Sequence, residues 1–496
     1  MRLERELSYY EKFFYERRIN DFYSNFFVSA TYCNKTGKDF KKLLIHAVKN
    51  LILKYPALYT NVHQDSDNLD IYFKPVDSIN LKNLIDFENY ENLLDSDKNL
   101  NESIVYDIVK FKFDYGQANL PLWKLKIIND YTVIFYCDHL LFDGTSGSNF
   151  HMKLLEELNL ISFQADAEYD VDNNDFDIVL FNSRIEKNYL KPIPKSIYDH
   201  FYLENSESVY TRLVPAWLQE IFQKSFEYFS IGSTNINGQD FIKAPFIDPK
   251  YLTKPGDFEY DIKIINIPVK VLKLVLKSTR EKNVSLTSLI IYISLLALAP
   301  LTNEKTITAK IPVDLRERLD LSDLSDEINE FDDTFGLFIK LLQLTFPPAK
   351  LKFKLNNISN ERNAKFNWNE IKKINSSLSQ SASQDHFKTI TKFKHVDIKE
   401  NMLQFANKPF ISTLQISNLG LIKSKTIDEN NSNVIITDML FSQSNGVLGS
   451  PFFLNIISTA IGGMNIVLST IPDLKSEYAE SVELLEKIIL EIEHYL

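Results

Sequence analysis

Cysteine is scarce in this sequence, since only Cys33 and Cys137 occur among its 496 residues. Two cysteines provide neither a disulfide framework nor the ligand pattern of a zinc site. Cys137 lies in an apolar stretch and is expected to be a small buried side chain. His151 follows His139 by twelve residues, a spacing that matches no helix-face pair of metal ligands. We therefore expect no metal site and no bound cofactor.

The sequence also lacks an excess of positive charge. Lysine and arginine number 55 against 66 aspartates and glutamates, and the net charge is −11. A general nucleic-acid surface needs a basic stripe, so we expect no nucleic-acid partner. A local cluster can still bind an anionic ligand. Lys350, Lys352 and Lys354 either contact the phosphates of such a ligand or form the solvated face of a helix.

Long apolar runs are nearly absent. The first seven residues lack the apolar core of a signal peptide. Residues 284–302 approach the roughly 20 residues of a membrane-spanning helix, but serines open the segment and Pro300 closes it, which indicates a buried core helix. We therefore expect an intracellular, cytoplasmic monomer. Leu3, Leu7, Tyr10 and Phe14 align on the first predicted helix, whose apolar stripe either packs on its own domain or lies on a membrane.

The most informative stretch runs from Tyr131 to Leu158. Residues 131–138 are rich in β-branched and aromatic side chains, which are typical of a buried strand. His139 follows the strand directly, and Asp143-Gly144 comes four residues later. A histidine at a strand end is held in place and can still reach a cavity. Its ordinary pKa of about 6.5 suits a general base at neutral pH.

A helix is predicted after this turn. Gly, Ser and Asn residues mark the turn, and Ser146 or Ser148 is expected to cap the helix. One face of that helix carries apolar residues at helical spacing, namely Phe150, Leu154, Leu155 and Leu158. The His-x-x-x-Asp-Gly pattern therefore lies in a strand–turn–helix unit.

Strands and helices alternate along the rest of the chain. Helices are predicted after the Ser8/Glu11 capping box, after Thr36 or Asp39, after Pro268, over 285–299 and at the C-terminus. Strands are predicted at 23–32, 60–62, 69–73, 124–129, 260–267, 306–313, 335–339, 409–416, 452–458 and 464–470. The strand at 124–129 is expected to form a hairpin with residues 131–138, and the strands at 452–458 and 464–470 an antiparallel pair. Residues 166–177 and 376–384 are polar and predict loops. The pattern favours a mixed α/β fold in two halves, with the boundary between about 165 and 250.

Four segments occur in an order that resembles a known superfamily. They are the opening Leu-Ser8-x-x-Glu11 helix, His139-Leu-Leu-Phe-Asp143-Gly144, Asp314-Leu-Arg316 and Ser417-Asn418-Leu-Gly420. This order resembles the acyl-CoA-dependent acyltransferases with the chloramphenicol acetyltransferase fold. Within that superfamily the chain is most similar to the fungal alcohol O-acetyltransferases, over nearly its full length.

The resemblance implies two similar mixed α/β halves with a channel between them and His139 at its centre. We divide the chain into residues 1–190, a crossover at 191–250 and residues 251–496. The plant branch of the superfamily carries Asp-Phe-Gly-Trp-Gly in its second half. This chain has Thr334-Phe-Gly-Leu337 instead, which argues against that branch and leaves the role of Asp333 open.

The resemblance also implies roles for the motif residues. His139 is the expected general base. Asp143 could orient His139 as in a triad, but the resemblance favours a structural ion pair with Arg316 of the second half. Gly144 is expected to leave room beside the base. Ser417 and Asn418 are expected near the channel, where they either stabilise an oxyanion or close a strand.

The predicted function is transfer of an acetyl group from acetyl-CoA to a small or medium-chain alcohol, giving an acetate ester. One alternative is N-acetylation of a sphingoid-like or other amine, and another is a non-catalytic binding protein of the same fold. Relatives implied by the resemblance associate with endoplasmic reticulum or lipid droplets, so peripheral membrane contact is a further prediction. The sequence does not identify the residues that contact coenzyme A.

Overall fold

The computed structural model describes most of the chain. The described residues are 3–65, 70–88, 100–129, 131–163, 178–198, 255–298, 307–318, 332–346, 365–383, 412–423, 432–446, 449–471 and 475–496. The predicted loop at 166–177, the Lys350–Lys354 cluster and most of the predicted crossover lie outside these ranges. The division into halves at 191–250 therefore stays a prediction.

The described residues form sixteen strands, nine α-helices and one further turn of helix at Ile492–Tyr495. The strands are β1 (Arg5–Glu6), β2 (Phe26–Asn34), β3 (Thr60–Gln64), β4 (Ile71–Pro75), β5 (Ser78–Asn80), β6 (Ile85–Glu88), β7 (Trp123–Ile128), β8 (Thr132–Cys137), β9 (Val179–Asn182), β10 (Asp261–Ile267), β11 (Ile307–Asp314), β12 (Ile339–Phe346), β13 (Leu414–Ile422), β14 (Val434–Gln443), β15 (Phe452–Thr459) and β16 (Gly463–Thr470). The helices are α1 (Tyr9–Ile19), α2 (Phe40–Lys54), α3 (Leu81–Leu84), α4 (Glu102–Lys110), α5 (Gly144–Ser162), α6 (Val269–Glu281), α7 (Leu286–Leu298), α8 (Trp368–Ser383) and α9 (Lys475–Leu490).

The first large sheet has the order β14-β2-β8-β7-β6. The predicted hairpin is confirmed, because β7 and β8 pair antiparallel from Trp123 opposite Cys137 to Ile128 opposite Thr132. Helix α5 packs against β2 and β8. The stacked rings of Phe135 and Phe150, with centroids 4.1 Å apart, lie in that contact. This buried packing fixes β8 and therefore the start of the loop that carries His139.

The second large sheet has the order β10-β16-β15-β13-β11-β12. Strands β15 and β16 pair antiparallel as predicted, whereas β13 runs parallel to both β11 and β15. Helix α7 contacts α8, α9 and β13. All of its residues from Ser288 to Leu298 are buried, so the apolar run is a core helix as predicted. Two small sheets, β1-β4-β3 and β5-β9, complete the described strands.

Strand β14 joins the two large sheets. It follows β13 in the chain, yet it pairs antiparallel with β2 along its whole length, from Val434 opposite Asn34 to Gln443 opposite Phe26. It also contacts β15 of the second sheet. The sequence analysis did not identify this strand, because Asp438 interrupts its apolar pattern. In the fold Asp438 is stabilised by two hydrogen bonds from the side chain of Asn465.

Three local predictions were wrong. Residues 335–338 form a bend and irregular backbone before β12 rather than a strand, and Ser376–Ser383 continue α8 rather than forming a loop. Helix α5 is capped by Asp143, whose side chain accepts a hydrogen bond from the Ser146 amide, so Ser146 and Ser148 lie inside the helix. A carboxylate at the N-cap favours a helix start as well as a hydroxyl does.

The strand before Ser417 was also predicted with the wrong end. We expected Ser417-Asn418-Leu-Gly420 to follow the strand, but β13 continues through these residues to Ile422. Its pairing with β15 is irregular between Asn418 and Leu421, and Gly420 has a φ of +78°. A bulge of this kind redirects side chains without ending the strand.

The N-terminal capping box is present as predicted. The Ser8 hydroxyl accepts a hydrogen bond from the Glu11 amide, and the Glu11 carboxylate accepts one from the Ser8 amide. In the described part of the chain no single helix is long and apolar enough to cross a membrane. Helices α6 and α7 together have the length and apolar composition of a membrane span, but the chain bends by 102° between them.

Candidate active site

His139 lies in the loop directly after β8, beside a cavity that residues of both large sheets line. Three aromatic rings surround its imidazole. The ring of Phe14 stacks on it at 4.6 Å, Phe26 lies at 5.1 Å and Tyr23 at 5.5 Å. Phe14 comes from α1 and Phe26 from β2, so the apolar stripe of the first helix packs on its own domain and covers one side of the site.

The surroundings of His139 lower its pKa from 6.5 to about 4. Burial is the largest cause, and the positive charge of Arg17 on α1 adds to it, while the Asp143 carboxylate acts in the opposite direction. Nδ1 of His139 is buried and has no hydrogen-bond partner among the described residues. The backbone groups of His139 and Phe142 raise the pKa of the ring, but by less than burial lowers it. The imidazole is therefore neutral at pH 7 and able to accept a proton.

Arg17 is a residue that the sequence analysis missed. Its guanidinium lies over the ring of Tyr23 at 4.8 Å and near those of Phe13 and Phe14 at 5.4 and 5.5 Å. Two of these rings also contact His139. The only signal in the sequence was the position of Arg17 on the same helix as the predicted aromatic stripe.

The lowered pKa predicts an unusual pH dependence. A base of this kind works when it is neutral, so kcat/KM should stay level from pH 7 to about pH 5 and fall only as the pH approaches about 4. Arg17→Met removes a charge that lowers this pKa, so the acidic limb should move to higher pH. Lys12→Met, on the same helix, is the matched control and should leave the limb unchanged. An acidic limb near pH 6.5 in the unaltered protein would contradict the assignment.

Asp143 makes no hydrogen bond with His139. Its carboxylate faces away and is completely buried. Arg316 donates to both of its oxygens, from Nη1 to Oδ2 at 2.8 Å and from Nη2 to Oδ1 at 3.0 Å. The Ser146 amide donates to Oδ1 at 2.8 Å and the Phe338 amide to Oδ2 at 2.9 Å. The Arg316 guanidinium and these amides hold the pKa of Asp143 below its usual value.

Arg316 connects Asp143 to several parts of the second half. Its Nε donates to the Asp333 carbonyl at 2.7 Å, and its Nη1 donates to Asp314 at 3.2 Å. The guanidinium lies over the ring of Phe338 at 4.2 Å. Its side chain is 7% exposed. The structure therefore brings Asp143 and Arg316 together in a bidentate pair that fixes the loop after His139 against the second half.

Gly144 lies where a side chain would collide with the channel wall. A Cβ at this position would be 2.7 Å from Cδ2 of Leu419 and 3.6 Å from the ring of Phe441. Contacts below about 3 Å require the neighbour to move. Because β13 comes close to the start of α5, only a residue without a side chain fits at position 144 unless Leu419 moves.

Ser417 and Asn418 both line the cavity at His139, but their side chains differ. Asn418 donates to the Thr287 hydroxyl at 3.1 Å and accepts from the Gly420 amide at 2.8 Å. Its amide group therefore stabilises the bulge in β13. Among the described residues we find no hydrogen bond to the Ser417 hydroxyl, so this donor remains available to a ligand.

Two cavities meet at this site. A small one of about 60 Å³ touches His139, and a larger one of about 810 Å³ opens beside it. Thr145, Pro312, Asp314 and Asn418 line both. The wall of the larger cavity carries four basic side chains, which are Lys153, Arg316, Arg318 and Lys423, and four acidic ones, which are Glu156, Asp314, Glu317 and Asp333. The two cavities adjoin each other, and the imidazole of His139 lines the small one.

Lys153, Arg318 and Lys423 were not identified from the sequence. They come from three separate segments, and no motif links them. The Lys350–Lys354 cluster considered in their place lies outside the described residues.

His151 has a structural position. It is completely buried, its Nδ1 shares a hydrogen bond with the Tyr32 hydroxyl at 2.9 Å and its Nε2 with the Val28 carbonyl at 2.8 Å. Burial lowers its pKa to about 4. Within the ranges that the structure describes, no group of His, Cys, Asp or Glu residues is arranged to hold a metal ion. The prediction that no metal takes part stays a prediction.

Two curated proteins of fungi are similar to this chain at low sequence identity. The chain is 22% identical over 479 residues to an uncharacterised protein of Schizosaccharomyces pombe, covering 96% of this chain and 93% of that protein. It is 27% identical over 336 residues to PSTB2-interacting protein 1 of Saccharomyces cerevisiae, covering 62% of this chain and 57% of that protein.

The fold is shared with solved structures of low sequence identity. The trichothecene 15-O-acetyltransferase TRI3 of Fusarium sporotrichioides superimposes with a TM-score of 0.62 at 11% identity, covering 97% of this chain and 94% of that chain. The epimerization domain from the third module of tyrocidine synthetase B gives a TM-score of 0.56 at 12% identity, with 99% and 97% covered. The predicted two-lobed chloramphenicol acetyltransferase-like fold is thereby confirmed.

The alcohol acetyltransferase family profile matches residues 6–490, nearly the entire chain. This match includes all four segments on which the resemblance rests. The protein therefore belongs to the alcohol acetyltransferase family and is an acyltransferase of this fold.

Proposed function

We propose that this acyltransferase moves the acetyl group of acetyl-CoA to the hydroxyl of a small or medium-chain alcohol, with His139 as general base. The observation that carries the proposal is the neutral imidazole in a small cavity that shares four lining residues with a larger one. A neutral base is needed to accept the hydroxyl proton. Basic side chains in the wall of the larger cavity suit the phosphates of coenzyme A.

Coenzyme A is proposed to occupy the larger cavity. Arg318 and Lys423 would contact its phosphates, because Asp143 already engages Arg316 and Glu156 already engages Lys153. The cavity is large enough for an extended ligand, since pockets for drug-sized molecules range from about 300 to 1,000 Å³. The thioester would then reach His139 through the residues that line both cavities.

The proposed reaction proceeds through a tetrahedral intermediate. Nε2 of His139 takes the hydroxyl proton as the alcohol oxygen attacks the thioester carbonyl carbon, and the carbonyl oxygen becomes negative. The Ser417 hydroxyl would donate a hydrogen bond to this oxyanion. When the C–S bond breaks, the ester forms and the thiolate of coenzyme A takes the proton from His139.

Two alternatives use the same site. An amine acceptor, such as a sphingoid-like base, would lose its proton to His139 in the same way. A non-catalytic binding role is suggested by one relative, which is named for its interaction with PSTB2. The available imidazole in a cavity next to a larger one favours catalysis over binding alone.

The proposal is tested by measuring thiol release from acetyl-CoA with the purified chain. Release should rise well above the background rate when isoamyl alcohol is added, and mass detection should find the acetate ester. A long-chain amine is the parallel acceptor, and release with it alone would replace the alcohol by an amine. The absence of release over a broad panel of alcohols and amines would favour the binding role.

A further inference from the structure

The small cavity at His139 has an apolar side and a polar side. Its volume of about 60 Å³ holds only a few water molecules, which corresponds to a short chemical group. Five apolar side chains line it, namely Phe26, Pro312, Ile339, Leu419 and Phe441. Besides His139, the polar lining residues are Thr145, Asp314, Ser417, Asn418 and Gln443.

Phe441 forms a rigid part of this wall. It is 2% exposed and lies in β14, opposite Val28 in β2. Its ring contacts Phe26 edge to face at 6.4 Å, and Phe26 in turn contacts His139. Movement of Phe441 would disturb the pairing of β14 with β2 and the surroundings of the base.

Leu419 is the less constrained part. It lies in the irregular segment of β13 between Asn418 and Leu421 and precedes Gly420, whose φ is +78°. It is only partly buried, and its Cδ2 faces Gly144 across the cavity. A truncated side chain at 419 would therefore enlarge the cavity without removing a fully buried core residue.

We propose that Leu419 sets the length limit of the acyl group, with Phe441 as the fixed wall beside it. The proposal rests on the function proposed above and names its donor class: acetyl and other short acyl groups. Four residues line both cavities, so a coenzyme A thioester bound in the larger one would place its acyl chain in the small one. Gly144 keeps the space open, because a side chain there would push Leu419 into the cavity.

Leu419→Ala is the first test. Thiol release is measured with acetyl-, butyryl-, hexanoyl- and octanoyl-CoA and one fixed alcohol. The unaltered protein should prefer acetyl-CoA, and Leu419→Ala should raise the hexanoyl-to-acetyl ratio of kcat/KM by about tenfold or more, the scale of discrimination by a methylene-sized space. Leu421→Ala is the matched control, since Leu421 lies in the same strand, is 37% exposed and does not line the cavity.

Gly144→Ala provides a second, opposite test. Its added methyl group should lower turnover of acetyl-CoA by displacing Leu419 into the cavity. Combining it with Leu419→Ala should restore much of that turnover, because the displaced side chain is gone. Failure of the double variant to recover any activity would show that Gly144 acts through the backbone and not through Leu419.

Two results would overturn the proposal. One is an identical acyl-chain profile for Leu419→Ala and Leu421→Ala. The other is a wider range of alcohols in Leu419→Ala with an unchanged range of acyl groups, which would assign the small cavity to the acceptor. If the unaltered protein turns over no acyl-CoA, the proposed function fails separately. Calorimetric binding of acetyl- and hexanoyl-CoA then decides, since the proposal requires tighter hexanoyl-CoA binding by Leu419→Ala alone.

Discussion

Replacement of His139 by alanine is expected to lower acetyl transfer by about 10²-fold or more. In the proposed mechanism the imidazole is the general base, and proton transfer to it accompanies attack on the thioester. The loss should appear in kcat, because no contact with coenzyme A phosphates is removed. The measurement is thiol release at saturating acetyl-CoA.

The His139→Ala protein should remain folded. The substitution removes a neutral ring from an aromatic environment and leaves no buried charge behind. Thermal unfolding should therefore change far less than activity does. His494→Ala, at an exposed position near the C-terminus, is the matched control and should keep full activity. Near-normal turnover by His139→Ala would remove the basis of the proposed mechanism.

Asp143→Ala and Arg316→Ala are expected to have the largest effects on stability. Each leaves one member of a buried, bidentate pair without its partner, which costs about 3–5 kcal/mol of the free energy of unfolding. Asp143→Ala also removes the N-cap of α5, which costs about 1 kcal/mol more. Activity should fall in both variants because the loop after His139 loses its attachment to the second half. Urea unfolding and thiol release measure the two effects.

The two variants also distinguish the structural pair from a catalytic triad. In the double variant the stability losses should fall well short of adding, because a single interaction is removed twice. Arg318→Ala, two residues along and exposed, should change stability by less than about 0.5 kcal/mol. If Asp143→Ala instead keeps full stability and loses only turnover, Asp143 orients the base and the triad interpretation replaces this one.

Part of this result was already accessible in the local sequence. The capping box at Ser8, the hairpin of β7 and β8 and the buried helix α7 each depend on side chains within a few residues of one another. Periodicity and capping patterns report such short-range preferences directly. The position of His139 at a strand end belongs to the same class.

Other features depended on distant partners. The ion pair of Asp143 joins it to Arg316, which lies 173 residues away in the sequence. No residue close to Asp143 in the sequence indicates this pair. Strand β14 did not follow the apolar pattern because Asp438 is accommodated by Asn465 of another strand. The continuation of β13 through Ser417 and Gly420 likewise depends on pairing with β15.

The sequence by itself determined the family resemblance and the mixed α/β class, because these follow from local motifs and periodicity, and the resemblance then predicted the general base. Only the tertiary structure decided the pKa of His139, the engaged state of Asn418 and the small cavity between Leu419 and Phe441. Each of these depends on the distances between charged and apolar groups that come from separate segments of the chain. Burial, Coulomb interactions and steric contact act through space, so no spacing along the chain encodes them.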